Sequence, residues 1–194
     1  MTEDRMPDLD TMEPAIREKV LLASLLWLEQ QKKTGQRFPF SVYQILVRTV
    51  HVCFVDIAVL DVNKEKSEYK VLLERRPNTG HIYPGMQNIP GGNFLYRESA
   101  EAAASRIAQQ LGCIQEPIFV GIATYTKTST EVGVSLLYAV KADTAFNPPL
   151  NCQFFDLNNV PQDLVPWQAV LYPAMIREYV KNGSLTRVYE YLGE

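Results

Sequence analysis

The sequence predicts an α/β domain, a mixed sheet sandwiched between helices with an added N-terminal helix, and three observations predict it. Stretches rich in β-branched and aromatic residues, such as "SVYQILVRTVHVCFVDIAVLD" and "VGVSLLYAVKA", are separated by segments whose apolar residues return at helical spacing. The order they spell, helix, strands, loop, helix, hairpin, strand, helix, is that of a layered domain in which helices cover a sheet. The chain of 194 residues is 46% hydrophobic and 21% charged, the length and composition of one ordinary globular domain.

The first ten residues are polar, as in a mobile terminus. A helix follows from Met12: Pro14 suits its first turn, Ile16, Val20, Leu21, Ala23, Leu25 and Leu28 repeat at helical spacing, and Gly35 ends it. Leu22, Leu26 and Trp27 widen its apolar face, so either the domain covers it or a second copy does, in a homodimer. Residues 1–40 therefore read as an N-terminal extension and residues 41–194 as the main domain. The run "VLLASLLWL" matches a signal-peptide core in length, but acidic residues precede it, "EQQKKTG" follows it and no small-residue cleavage pattern is present. It is too short to span a bilayer, so no membrane association is expected.

Ser41 to Asp61 should hold one or two strands, "VNKEKSE" a charged turn, and "YKVLLERR" the next strand. "PNTGHIYPGMQN" reads as a long loop with two glycines and two prolines, the kind that is usually functional or mobile. "IPGGNFLYRESAEAAASRIAQQLG", Ile89 to Gly112, reads as a strand end, a glycine turn, a loop and a helix stopped by glycine. "PIFVGIATYT" and "VGVSLLYAVKA" form a hairpin through "KTSTE", "CQFFDL" a short strand, and Trp167 to Lys181 a helix ended by Asn182-Gly183. The tail "SLTRVYEYLGE" reads as one more short helix. No internal repeat or low-complexity segment is present.

A formal charge of -3 and a pI near 5.5 give no electrostatic footprint for duplex nucleic acid. Cys53, Cys113 and Cys152 have no short spacing, and with only His51 and His81 beside them neither a disulfide framework nor a zinc site is indicated. Reduced thiols place the chain in the cytoplasm. His51, inside an apolar strand, reads as a core residue.

From Gly92, five residues lead to Glu98 and seven more to Arg106; counted back from Gly112, Arg106, Gln109 and Gln110 stand where three helix acids would. With "PGG" before the loop, this resembles the Nudix superfamily signature, G-x5-E-x7-R-E-U-x-E-E-x-G-U, shortened by one residue after Arg106. The shortened form is similar to the GDP-mannose mannosyl hydrolase branch, and "LLERRPN", "LVRTVHVCFVDIAVLD" and the tail "FFDLNNVPQDLVP" with its following helix support it. The resemblance runs from Val47 to Lys181.

The resemblance implies a nucleoside diphosphate derivative as ligand, a nucleotide sugar first among them, bound with Mg²⁺. Gly92, Glu98 and Gln110 are the positions it places around the metal, as a weakened site. Mg²⁺ takes oxygen ligands in octahedral geometry, and glutamates three and four residues apart can share one ion from a helix face. Gln109 and Gln110 keep that spacing without the charge. Glu98 has two readings: a metal ligand, or the partner of Arg106 in an ion pair that holds the loop to the helix. Glu101 reads as a favourable acid in the first helical turn. Arg76 is carried over as the arginine on the leaving diphosphate, with Arg75 beside it; the guanidinium fork suits phosphate. His81 in the long loop, and Tyr125 and Lys127 at the hairpin turn, are the remaining substrate-contact candidates. Asp143, Asp156 and Glu131 are the acids that would have to converge on the helix to compensate the glutamines. Two functions follow: a Nudix-fold binder of a nucleoside diphosphate derivative that hydrolyses it weakly or not at all, or an inactive scaffold or regulatory interaction protein.

Overall fold

The computed structural model describes residues 13, 30, 52–63, 68–79, 83–95, 97–128, 131–183 and 188–192. Apart from Glu13 and Gln30, the expected N-terminal helix lies outside them, as do the first half of the Ser41–Asp61 segment, His51 and His81. The chain divides into two compact units, Met1–Phe38 and Pro39–Glu194. Everything below concerns the second.

Its elements run β1 (Val52–Asn63), β2 (Glu68–Arg75), β3 (Gln87–Asn88), β4 (Gly91–Asn93), α1 (Ala100–Gln110), β5 (Ile118–Thr128), β6 (Glu131–Lys141), β7 (Cys152–Asp156), α2 (Pro166–Asn182) and β8 (Val188–Leu192). The eight strands form one mixed sheet in the order β3-β2-β1-β6-β5-β8, with β4 paired to β1 and β7 to β2. β1 with β6 and β5 with β8 are parallel, and the other pairs are antiparallel. The predicted α/β layering is therefore what the chain builds.

Period-two alternation along β1 sorts the core into two layers. Val55, Ile57 and Val59 face α1, where they meet Ala103, Ala104, Ile107 and Ala108. Ala58 and Leu60 face α2, with Leu171, Met175 and Ile176. A continuous apolar run, buried on both faces, is what a central strand needs.

The pairing of β1 with β2 stops at Leu60 and Val71. Beyond that point the two strands part, and the segment after the long loop fills the gap: Gln87 and Asn88 pair with β2 while Gly91 to Asn93 pair with β1. This split is the feature that positions the site, because Asp56, Arg76, Gly91 and the start of α1 all belong to its mouth.

The tail expected as a short helix is instead β8. Tyr189 and Tyr191 alternate toward the core and pack on it, a period of two, and the strand pairs with the otherwise open edge of β5. The predicted long loop likewise contains the two-residue strand β3. Among the described residues no helix is long and apolar enough to cross a membrane. Cys53, Cys113 and Cys152 are free thiols, and burial pushes Cys113 and Cys152 up to about 11, so they carry no thiolate.

Candidate functional site

The α1 side of the mouth is built by local sequence. Ser99 caps α1, its hydroxyl accepting from the Ala102 N–H at 3.2 Å, and Glu101 adds an acid to the first turn. The helix ends in a Schellman arrangement: the Cys113 N–H donates to the Ala108 carbonyl at 2.9 Å and the Gly112 N–H to Gln109 at 3.0 Å, with Gly112 at φ 89°.

Between β4 and α1, Glu98 is closed on Arg106. Arg106 Nε donates to Glu98 Oε1 at 2.7 Å and Nη2 to Oε2 at 2.9 Å, while the Leu95 N–H donates to Oε2 at 2.8 Å. Nη2 also reaches the Asn93 carbonyl at 3.0 Å. Of the two readings of Glu98, the structure has the ion pair, bidentate and little exposed. The Arg106 guanidinium holds the Glu98 carboxyl below its ordinary range, and the carboxylate raises Arg106 in turn.

This pair sets a prediction. Glu98 has a depressed folded pKa, so its contribution is present above its ordinary range and lost as pH falls through the folded value. Glu98→Gln should cost about 1–2 kcal/mol near neutral pH, by losing the charge-assisted bonds and leaving Arg106 half-buried without its counter-charge. The difference from wild type should shrink in acid; urea midpoints at pH 7 and pH 3 check it, and a constant gap would rule the pair out as its source.

Gln109 and Gln110 are exposed on α1, and Glu101 is exposed at its start. Of the acids that could compensate, Asp143 Oδ1 accepts from the Ala145 N–H at 2.8 Å and Asp156 Oδ1 from the Asn158 N–H at 2.7 Å, each in its own turn. The side chains of Glu131 and Lys127, like His81, lie outside the described residues. No group of three His, Cys, Asp or Glu that could hold a metal occurs among the described residues. A Mg²⁺ site needs carboxylate oxygens, and here the one acid at the signature positions has both oxygens taken by Arg106 and Leu95. Among the described residues, those at the signature positions do not fit the metal that the resemblance implies.

The two arginines at the end of β2 differ. Arg75 is tied into the protein, Nη1 donating to the Gly85 carbonyl at 2.6 Å and Nη2 pairing with Asp163 at 3.0 Å. Arg76 is half-buried, its Nε is buried, and that nitrogen has no hydrogen-bond partner. Tyr125 sits inside β5 rather than at the hairpin turn. Its ring stacks on Trp167 at 4.4 Å and 12°, above Gly133, where a Cβ would collide with it.

On the α2 side of the mouth lies a group that the motif reading passed over. Asp56 is 6% exposed, and both the Ser135 hydroxyl, at 2.6 Å, and the Tyr172 hydroxyl donate to its Oδ2. The Tyr172 hydroxyl oxygen also lies 2.8 Å from Ser135 Oγ, and Trp167 meets Tyr172 edge-on at 5.1 Å. The other carboxylate oxygen, Oδ1, packs against Gly91. Burial pushes the Asp56 carboxyl up to about 6, against the pull of both hydroxyls and of Arg76. The same burial, with the Asp56 charge beside it, holds Tyr172 well above its ordinary range and keeps it a donor. The signal was in the sequence: Asp56 is the lone charge in "CFVDIAVL".

No family model matches the sequence, and no curated protein does. Solved structures do match, 213 chains in all. The MutT protein from Methanosarcina mazei Go1 superposes with a TM-score of 0.54 at 16% identity, over 67% of this chain and 96% of that one. The NUDIX domain of Shewanella oneidensis NrtR, complexed with ADP ribose, gives 0.52 at 17%, over 68% and 90%. The Nudix hydrolase RenU from M. smegmatis gives 0.53 at 15%, over 71% and 91%. The fold of the second unit is thus the Nudix fold.

Proposed function

We propose that this Nudix-fold protein binds a nucleoside diphosphate derivative and turns it over weakly or not at all. The observation that carries the reading is the state of the signature acids: Glu98 is committed to Arg106, and the exposed face of α1 presents Gln109 and Gln110, amides that cannot offset a divalent charge. Binding is supported from the other side of the mouth. Arg76 offers a guanidinium with an unpartnered Nε, the group suited to phosphate, at the position that the motif resemblance gives to a phosphate contact. A Nudix-fold domain complexed with ADP ribose, NrtR, shows what this fold accommodates elsewhere. The nucleotide-sugar class rests on the resemblance of residues 89–112 to the mannosyl hydrolases.

Calorimetric titration with GDP-mannose, ADP-ribose and GDP, each with and without Mg²⁺ or Mn²⁺ and followed by a product assay, tests it. The expected result is nucleotide binding that does not require metal, with little or no product. Metal-dependent turnover would overturn the reading. Absence of any binding would leave the second function, an inactive scaffold or regulatory interaction protein.

A further inference from the structure

Helix α2 begins without a cap. Val165 stands at its N-cap position and makes no side-chain hydrogen bond, Pro166 has no N–H, and the Ala169 N–H donates to the Val165 carbonyl at 2.9 Å as the first bond of the helix. The N–H groups of Trp167 and Gln168 therefore have no partner within the helix. Trp167 is held in this turn by its ring, stacked on Tyr125 at 4.4 Å and edge-on to Tyr172 at 5.1 Å. Strand β3 runs alongside. The Gln87 N–H donates to the Asp163 carbonyl at 2.8 Å and the Val165 N–H to the Gln87 carbonyl at 2.9 Å, so Gln87 borders the N-cap residue directly. Its side chain faces α2, because it stands opposite Arg75, which follows Val71 and Leu73 in steps of two on the face that packs against α2. Gln87 is 4% exposed, and its Oε1 is buried with no hydrogen-bond partner. The polar side chain of the first turn, Gln168, is turned to the backbone instead, Oε1 accepting from the Ile89 N–H at 2.9 Å.

A buried acceptor left unmet destabilises a folded protein, and here it lies beside helix donors that are also unmet. An anion would suit the helix amides, with their positive end of the dipole, but the Gln87 oxygen would repel it. A lone donor would suit the oxygen and leave the amides. A planar group with an N–H beside a carbonyl serves both at once, donating to one and accepting from the other. We propose that Gln87 Oε1 and the first-turn amides of α2 form a subsite for the amide-like edge of a nucleobase, with Gln87 as its specificity-determining residue. This deepens the function proposed above and rests on it for the ligand's being a nucleotide; it names the part of that ligand which is read here.

Inosine carries this edge without any phosphate, and 1-methylinosine lacks the edge N–H. The Trp167 and Gln168 amide resonances, followed by NMR as each nucleoside is titrated into the full chain, should report inosine binding about tenfold tighter than its methylated form. Gln87→Met keeps the bulk of the side chain without the acceptor. It should lose about tenfold in inosine affinity and with it the discrimination, while the urea midpoint of the free protein stays level or rises, since an unmet buried acceptor has been removed. The wild-type comparison needs no variant. Equal binding of the two nucleosides, or no binding of either, would leave Gln87 with a buried water only and overturn the proposal; so would a Gln87→Met midpoint that falls while inosine affinity is unchanged. GDP-mannose is titrated in parallel. If it binds wild type and Gln87→Met alike, the nucleotide function stands and the base subsite falls; if inosine follows the pattern and GDP-mannose binds no better than inosine, the subsite stands and the diphosphate reading falls.

Discussion

Gly91→Ala should destabilise the protein by about 3 kcal/mol or more, the largest single-residue effect expected at the mouth. A Cβ at Gly91 would lie inside contact distance of Asp56 Oδ1, 2.7 Å from the Val55 carbonyl oxygen and 3.0 Å from Asp56 Cγ. Neither neighbour has room to yield. Val55 is fully buried backbone of the central strand, and the Asp56 carboxyl is held by Ser135 and Tyr172. The clash therefore falls on the pairing of β4 with β1, which fixes where the Glu98 loop and α1 begin. Gly92→Ala is the internal control: its Cβ would meet only the Ile107 side chain, Cδ1 at 3.5 Å and Cγ1 at 3.9 Å, both ordinary contacts, so it should cost less than about 1 kcal/mol. Thermal or urea unfolding of the two variants side by side checks the contrast. Equal stability of Gly91→Ala and wild type would show that the Asp56 carboxyl is not fixed where the structure has it.

That contrast also marks what the sequence made legible. Register counting from Gly92 found Glu98, Arg106 and the helix stop at Gly112, because those positions follow one another along the chain at a fixed spacing. The same counting gave Gly92 the prominent role, whereas the glycine the packing cannot spare is Gly91; only the partner opposite, Asp56, distinguishes them. Layering was legible through period-two alternation in β1 and helical spacing in α1 and α2. The tail was not. Tyr189 and Tyr191 stand two apart, a strand's spacing, but a single such pair decides little until the open edge of β5 is known. The Asp56, Ser135 and Tyr172 cluster was invisible for a further reason: its members lie 79 and 116 residues apart, each an unremarkable polar residue in its own segment. Only Asp56, alone among apolar neighbours, gave a local hint.

The second large effect is a stability that falls as pH rises through weak acid. The Asp56 carboxyl is pushed from 3.8 up to about 6 by burial, so the folded protein holds this proton more tightly than the unfolded chain does. Its contribution is fully present below the unfolded value and disappears as pH passes the folded one. A difference of about two units corresponds to about 3 kcal/mol lost from pH 4 to pH 7. Glu98 runs the other way, gaining stability as pH rises through its ordinary value and completing that gain above it, so among the described residues Asp56 dominates the change between about pH 5 and 6.5. Tyr172 stays protonated throughout and contributes no slope of its own. Urea midpoints measured in that window should therefore be higher at pH 5 than at pH 6.5 for the wild type and nearly level for Asp56→Asn, which keeps an acceptor for Ser135 and Tyr172 without the titration. A wild-type midpoint that rises across the window more steeply than the variant's would mean that the carboxylate is stabilised when ionised. The field of Arg76, in that case, would outweigh burial, and the two side chains would already be paired at neutral pH.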